Sequence, residues 1–113
     1  MTVSGENSDR TVDGWRADCA SLADVRAHID RLDNMIAPLL CQRLFFVKQA
    51  AKFKASKEAV VVPSRVEDIV RSVRVVAEKH DMNPDVLEHI YRTIIDDFTA
   101  EEKKNWDKLH PKP

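Results

Sequence analysis

The sequence predicts an all-α protein with three helices per chain, and it predicts that two chains form an intertwined homodimer. Glycine is scarce: Gly5 and Gly14 are the only two among 113 residues, and both precede the first periodic segment. A sheet protein of this size would normally need glycine-rich turns between its strands. From Ser21 onward the apolar residues instead recur at alternating steps of three and four, which is typical of one helix face.

Composition and charge exclude several classes of function. The formal net charge of −1 provides no basic field that would collect nucleic acid or an anionic membrane, so we expect neither partner. The two cysteines, Cys19 and Cys41, and the four histidines show no metal-ligand spacing, so we expect no metal. The sequence has no glycine-rich phosphate loop, and we expect no cofactor. Without an apolar signal core or a membrane-length apolar run, the expected location is the cytoplasm.

The first predicted helix begins at Ser21 and runs to about Ser56, a rod of roughly 50 Å. Ser21 followed by Asp24 has the form of a capping box. Pro38 lies inside this helix and should kink it, because its ring clashes with the carbonyl of Asn34. We keep a single helix, since the apolar seam stays in register on both sides of the proline. The seam consists of Leu22, Val25, Ile29, Leu32, Ile36, Leu39, Phe46 and Ala50.

The second helix follows a predicted loop at residues 57–63. The valines at 60–62 have the propensity of a short strand, but a lone strand would have no partner, so a loop is favoured. Ser64 is predicted to cap the second helix, with Glu67 completing a second capping box, and the helix should end near His80.

The third helix is predicted to be capped by Asn83, with Pro84 in its first turn, and to end before Pro111. The domain organisation that follows is a flexible N-terminal tail at residues 1–20 and one helical domain at residues 21–110.

The length of the first helix predicts the dimer. A compact chain of this size has a radius of gyration of about 13 Å. A rod of roughly 50 Å therefore cannot bury its whole seam inside one monomer. Partner helices must cover the remaining stripe, and a two-fold dimer with shared helices is the simplest arrangement that does so.

Four charged residues lie on or beside the apolar stripes. Arg43 occupies a seam position of the first helix, Arg26 flanks the same seam, and Glu102 lies on the stripe of the third helix. Lys54 follows Arg43 by three helical turns and should face the same way. Burying such charges costs several kcal/mol each unless they are paired.

Two interpretations of these charges remain open from spacing alone. Three cations against one carboxylate would suit a small dianion bound between helices. Alternatively, an arginine on a helical seam extends its head to solvent or pairs with an acidic neighbour. Asp30, Asp33 and Glu101 are available for such pairs.

The order of several segments resembles the helical chorismate mutase family. Residues 21–26, 29–33 and 39–43, followed by Lys54, are similar to that family's first helix. Residues 53–56, with 63–66 after them, resemble most the branch that contains the isochorismate–pyruvate lyases of salicylate synthesis. The resemblance covers about residues 19–106.

The resemblance implies an intertwined dimer with two equivalent sites for chorismate or isochorismate. Arg26 would reach into the site of the partner chain. Arg43 and Lys54 would bind the substrate carboxylates, with Lys54 also approaching the ether oxygen, and Arg65 would lie at the edge of the site. Glu102 would stand where the family has a hydrogen-bond donor to the same oxygen.

Two departures from the family pattern bear on the reaction. The rearrangement of chorismate is pericyclic, so it needs the substrate held in its diaxial conformer and donors aimed at the breaking C–O bond. Many relatives have Gln where this chain has Glu102, which must be protonated to donate. Val66 follows Arg65 where several mutases have Glu to bind the ring hydroxyl, and this favours the lyase branch.

We therefore predict a chorismate mutase that converts chorismate to prephenate. Lys54 and Glu102 are the predicted catalytic residues, and Arg26, Arg43 and Arg65 the predicted substrate-binding residues. The alternative is an isochorismate–pyruvate lyase that releases salicylate and pyruvate, and one cationic pocket could hold either ligand. A third possibility, of another class, is a helical dimer that binds a small dianion without catalysis.

Overall fold

Three helices make up most of the described chain, and the all-α prediction is confirmed. The structure, a computed structural model, describes residues 10–11 and 16–112. The helices are α1 (Leu22–Ala50), α2 (Pro63–Lys79) and α3 (Pro84–Leu109). The predicted N-terminal tail falls largely outside the described residues.

The described part of the N-terminal segment contains a short antiparallel ladder that the sequence analysis did not predict. Strand β1 (Arg10–Thr11) pairs with β2 (Ala17–Asp18). Two residues per strand give too little alternation for a period to be visible in the sequence.

The start of α1 follows the predicted capping box. The backbone N–H of Asp24 donates to the Ser21 hydroxyl at 3.1 Å, and the Asp24 carboxylate accepts from the backbone N–H of Ala20 at 3.2 Å. These bonds satisfy donors that the first helical turn would otherwise leave unpaired. The helix continues through Pro38 without interruption, and the kink expected there stays a prediction.

The predicted end of the first helix was wrong. Helix α1 ends at Ala50, a 3-10 turn covers Ala51–Phe53, and Lys54 is extended with φ −99° and ψ 131°. The physical reason lies in α3, whose Asn105 and Trp106 side chains donate to the main-chain carbonyls of Lys48 and Lys54, both at 3.0 Å. Because Asn105 satisfies a carbonyl of the last turn of α1 and Trp106 satisfies that of the extended Lys54, the chain can leave the helix after Ala50. The 29 residues of α1 span about 43 Å.

The start of α2 also differs from the prediction. Pro63 is the first helical residue, Val62 precedes it, and no side chain caps the helix, so the capping box of Ser64 and Glu67 is wrong. Proline suits the first helical position because its missing N–H would have no partner there. The predicted loop before it contains a 3-10 turn at Glu58–Val60 and no described strand.

The turn between α2 and α3 agrees with the sequence. Helix α2 ends at Lys79, next to the predicted His80. The Asn83 side chain accepts from the backbone N–H of Asp85 at 3.0 Å, and Pro84 follows it in the first turn of α3. The helix ends at Leu109, before Pro111, as predicted.

The described chain divides into two compact units, one up to Cys41 and one from Gln42 onward. In the second unit α2 packs against α3. Its buried apolar residues are Ala51, Val60, Val70, Ala77 and Ile95.

Helix α1 contains no buried residue within this single chain. In the first unit its seam residues Leu22, Ile29 and Leu39 are 50–61% exposed. A contiguous apolar stripe of this kind is typical of a surface that another element covers. Among the described helices, none is long and apolar enough to cross a membrane.

A network of ion pairs joins α2 to α3. Glu88 of α3 accepts from Arg92 and from Arg74 of α2, each at 2.7 Å, and Arg92 also donates to Glu67 of α2. Hydrogen bonds from Arg92 and then Arg74 hold the pKa of the Glu88 carboxyl below its usual value. The pKa of Arg92 is raised, chiefly by its hydrogen bonds to Glu67 and Glu88. Glu67 therefore links the two helices and does not cap α2.

Candidate active site

A cavity of about 490 Å³ lies within the second unit. Its walls come from the end of α1, the segment between α1 and α2, the first turns of α2 and the middle turns of α3. Most of the lining is apolar, which keeps the local dielectric low and strengthens the interactions of any charge placed there. The lining residues are Arg43, Phe46, Val47, Ala50, Lys54, Val60, Val61, Val62, Arg65, Val66, Ile69, Ile95, Phe98, Thr99 and Glu102.

The structure brings four of the five predicted site residues to this cavity: Arg43, Lys54, Arg65 and Glu102. The fifth, Arg26, belongs to the first unit, where it is exposed, and it does not line the cavity of its own chain.

An ion pair between Lys54 and Glu102 lies in the cavity wall. The Lys54 Nζ donates to Glu102 Oε2 at 3.2 Å. Glu102 is 5% exposed and is the one buried charged residue in the described chain. Lys54 reaches this place from the extended segment after α1, so the argument from three helical turns was wrong although the side chain does face the cavity.

Two aromatic rings of α3 hold Arg43. The guanidinium carbon lies 5.9 Å from the centre of the Tyr91 ring and 5.4 Å from that of Phe98. Cation–π contacts of this kind stabilise a cation without neutralising it. No described carboxylate lies within salt-bridge distance of Arg43, and the candidate Glu101 pairs instead with Lys104 at 3.0 Å. The alternative that Arg43 pairs with an acidic neighbour therefore finds no support in the described residues.

Arg65 enters the cavity from the first turn of α2. The N-terminal end of a helix carries partial positive charge, which adds to that of the guanidinium. In the described residues Arg65 forms no ion pair, so it stands available for an anion. Val66, the next residue, also lines the cavity and presents an apolar surface there.

Three residues near the site were missed by sequence reasoning. Thr99 supplies the one uncharged polar side chain of the lining. Trp106 and Asn105 bind the carbonyls of Lys54 and Lys48, respectively. Trp106 follows Glu102 by one helical turn, and this spacing is the signal that would have placed it beside the site.

The charges of the lining determine what the cavity can do. Three cations face one carboxylate, so two positive charges remain for a ligand. Guanidinium and ammonium groups bind carboxylates through charge-assisted hydrogen bonds. Among the described residues, no group of three His, Cys, Asp or Glu could hold a metal ion.

The fold and this cavity define an all-α protein with a cationic cavity whose volume suits a small-molecule ligand. Comparison with known families matches residues 25–103 to chorismate mutase type II. The chain therefore belongs to the chorismate mutase type II family, and it is an enzyme of this family. The predicted family is confirmed.

Two relatives are similar over most of the chain. An isochorismate pyruvate lyase of Pseudomonas aeruginosa is 37% identical over 89 residues, which cover 79% of this chain and 88% of the relative. A T-protein of Enterobacter agglomerans is 30% identical over 94 residues, covering 81% of this chain and 25% of the relative. The similarity to the T-protein thus concerns about a quarter of that protein.

Proposed function

We propose that this enzyme is a chorismate mutase that rearranges chorismate to prephenate in the cavity of Arg43, Lys54, Arg65 and Glu102. The observation that carries the proposal is the charge of the cavity, in which three cations face one carboxylate in an otherwise apolar lining. Chorismate carries two carboxylates, so its charge balances the two unpaired cations. The reaction forms one C–C bond and breaks one C–O bond without a nucleophile or a cofactor.

Substrate binding is assigned to the two arginines. The Arg43 guanidinium already contacts the Tyr91 and Phe98 rings. Little side-chain entropy is therefore lost when this group binds a carboxylate. Arg65 lies at the positive end of α2 and binds the second carboxylate. Fixing both carboxylates holds the diaxial conformer, in which the reacting carbons meet.

Catalysis is assigned to Lys54 and Glu102. As the C–O bond breaks, negative charge develops on the ether oxygen, and a preorganised donor in an apolar cavity stabilises it strongly. The Lys54 ammonium is such a donor, because Glu102 already orients it. Glu102 acts here as the ion-paired carboxylate that places the ammonium, because an ionised carboxylate cannot itself donate to that oxygen.

The homodimer and the role of Arg26 belong to the same proposal. The exposed stripe of α1 needs a partner surface, and a second copy of the chain supplies a matching stripe. In this arrangement Arg26 of the partner subunit completes the site. The chain has only two cysteines, Cys19 and Cys41, and their spacing indicates no disulfide framework, so the proposed location is a reducing compartment, the cytoplasm.

A second candidate function is isochorismate–pyruvate lyase. The observation that favours it is the 37% identity over 88% of the relative that carries that name. In the lyase reaction the C–O bond breaks while a ring hydrogen moves to the enolpyruvyl carbon, which gives salicylate and pyruvate. The apolar Val66 in the lining fits a substrate whose ring hydroxyl needs no acidic partner at that position.

A paired assay tests the proposal. Purified protein receives chorismate and isochorismate separately, and prephenate, salicylate and pyruvate are followed. The mutase proposal predicts prephenate from chorismate as the faster reaction. Salicylate and pyruvate with little prephenate would replace it with the lyase.

A ligand-binding measurement covers the case in which neither product forms. A dicarboxylate transition-state mimic at 100 times its dissociation constant should stabilise the fold by about 2.7 kcal/mol. A thermal shift without turnover would indicate a binding module, and no shift would contradict the site itself.

A further inference from the structure

Lys54 is the one proposed catalytic residue whose main chain lies outside the helices. It follows the 3-10 turn Ala51–Phe53 in an extended conformation, and its backbone N–H donates to the Ala51 carbonyl of that turn at 3.3 Å. The Lys54 side chain has four rotatable bonds, so its ammonium is well placed only if the main chain at Lys54 is fixed. The bond to Ala51 fixes the N–H side of Lys54, so another element must fix its carbonyl side.

Helix α3 holds Lys54 at two points. The Glu102 carboxylate accepts from the Lys54 ammonium at 3.2 Å, and the Trp106 indole N–H donates to the Lys54 carbonyl at 3.0 Å. Residues 102 and 106 are four apart, so they lie one above the other on the same helix face. One face of α3 thus binds both the ammonium group and the main-chain carbonyl of Lys54.

The Trp106 ring is itself fixed. It stacks on the His110 imidazole, with ring centres 4.0 Å apart and planes inclined by 17°. The Nδ1 atom of His110 lies 2.9 Å from the Trp106 carbonyl oxygen. A half-buried indole held in this way presents its N–H in one direction.

We infer that Trp106 is a positioning residue, whose indole N–H fixes the Lys54 main chain so that the ammonium reaches the ether oxygen of the substrate. The inference rests on the proposed function for what Lys54 does, whereas the contact of α3 with Lys54 rests on the two hydrogen bonds. Trp106 acts through Lys54 and lies outside the cavity lining.

The first test replaces the indole and measures steady-state kinetics with chorismate. Trp106→Phe keeps an aromatic ring against His110 and removes the N–H donor. Misplacing a reacting group by about 1 Å can cost about 100-fold in rate, so kcat should fall between roughly 10- and 100-fold. The KM should change little, because Arg43 and Arg65 bind the carboxylates.

A matched control lies one residue away. Asn105 donates to the Lys48 carbonyl at the same distance of 3.0 Å, so Asn105→Ala also loses one tie between α3 and the end of α1. It should keep kcat within about twofold of wild type. Incorporating β-(3-benzothienyl)alanine at position 106 preserves the indole shape without the N–H, and it should reproduce the loss of kcat even if Trp106→Phe fails to fold.

A second readout does not depend on turnover. Brief treatment with an acetylating reagent, followed by peptide mass spectrometry, compares the labelling rate of Lys54 with that of the exposed Lys52. Releasing the main chain should expose the Lys54 ammonium and raise its relative labelling rate severalfold in Trp106→Phe and in the benzothienyl protein, but not in Asn105→Ala.

The two readouts separate this inference from the proposed function. If the wild type turns over neither substrate but labelling rises as expected, the proposed function fails and the hold on Lys54 stands. Unchanged labelling in a folded protein without the indole N–H would overturn the inference. Wild-type kcat in that protein would overturn it as well, and an equal loss of kcat in Asn105→Ala would reduce Trp106 to a general structural role.

Discussion

The Lys54 ammonium lies 3.2 Å from the Glu102 carboxylate, although 48 positions separate the two residues in sequence. This pair joins the segment after α1 to α3, and it forms part of a cavity wall that is otherwise mainly apolar. Removing one partner of such a pair leaves the other charge uncompensated. A ligand oxygen that accepts one N–H of the Lys54 ammonium leaves its other N–H groups for Glu102, so the pair need not break. The pair therefore holds the Lys54 ammonium at the cavity wall.

The first prediction concerns the hydrogen-bond donor at position 102. Glu102→Gln places an amide donor in the cavity where an ionised carboxylate would repel the charge developing on the ether oxygen, so kcat for chorismate should rise. Glu101→Gln is the matched control, because Glu101 pairs with Lys104 on the helix surface, and its kcat should stay at the wild-type value. A kcat in Glu102→Gln at or below that of wild type would contradict this account of Glu102.

The second prediction concerns Arg43. Arg43→Lys keeps the charge but loses the planar fork and much of the contact with Tyr91 and Phe98. We expect KM for chorismate to rise about tenfold, equivalent to about 1.4 kcal/mol of binding. Arg71→Lys is the control, since Arg71 is exposed and pairs with Asp68 within α2. A KM unchanged in Arg43→Lys would remove Arg43 from the binding site.

The third prediction concerns acid stability. The pKa of Glu88 is lowered in the folded chain, chiefly by the hydrogen bond from Arg92 and then by that from Arg74. A carboxyl with a lowered folded pKa stabilises the protein fully above its unfolded value, here 4.5, and loses this effect as the pH falls through the folded pKa. Urea unfolding should therefore show Glu88→Gln less stable than wild type at pH 7, with the difference shrinking below pH 4.5.

The control for the acid-stability measurement is Glu101→Gln. The pKa of Glu101 is also lowered, chiefly by its hydrogen bond from Lys104, but that pair lies within α3 and joins no second helix. Its effect on unfolding should be smaller than that of Glu88→Gln. A stability difference for Glu88→Gln that stays constant with pH would show that charge pairing is not its cause.

The fourth prediction concerns the dimer. Sedimentation at micromolar concentration should give a dimer for wild type, because the seam of α1 is exposed in the single chain. Ile29→Asp places a charge in that seam and should give a monomer without activity, since Arg26 of the partner subunit is then lost to the site. Asp30→Asn changes the neighbouring exposed residue and should remain dimeric. A compact wild-type monomer would refute the pairing.

The features that the sequence predicted correctly are those encoded locally. The cap of α1 depends on Ser21 and Asp24, and the cap of α3 on Asn83, and in each case both partners lie within three residues. Such side-chain bonds to the backbone are visible in sequence because they need no distant element. The second capping box failed because Pro63 could begin the helix one residue before Ser64.

The end of α1 could not be predicted because distant residues determine it. Trp106 and Asn105 bind carbonyls that lie 52 and 57 positions earlier in the chain. No local pattern reports such a partner, so the apolar seam extended the predicted helix beyond Ala50. The residues of the candidate site were predicted more accurately than the end of α1. Apolar stripes and a family resemblance indicated Arg43, Lys54, Arg65 and Glu102, and neither depends on where a helix ends.

The most direct test of the account is the kcat/KM for prephenate formation in Lys54→Met, compared with wild type and with the control Lys57→Met. Lys57 lies three residues further on and pairs with Asp107 at the surface. Losing a preorganised donor to a developing oxyanion costs roughly 100- to 1,000-fold, so we expect a loss of that size in Lys54→Met and wild-type values in Lys57→Met. The double variant Lys54→Met/Glu102→Gln leaves no buried carboxylate unpaired and should show the same loss. A Lys54→Met enzyme within about threefold of wild type would contradict the central role of Lys54 in this cavity.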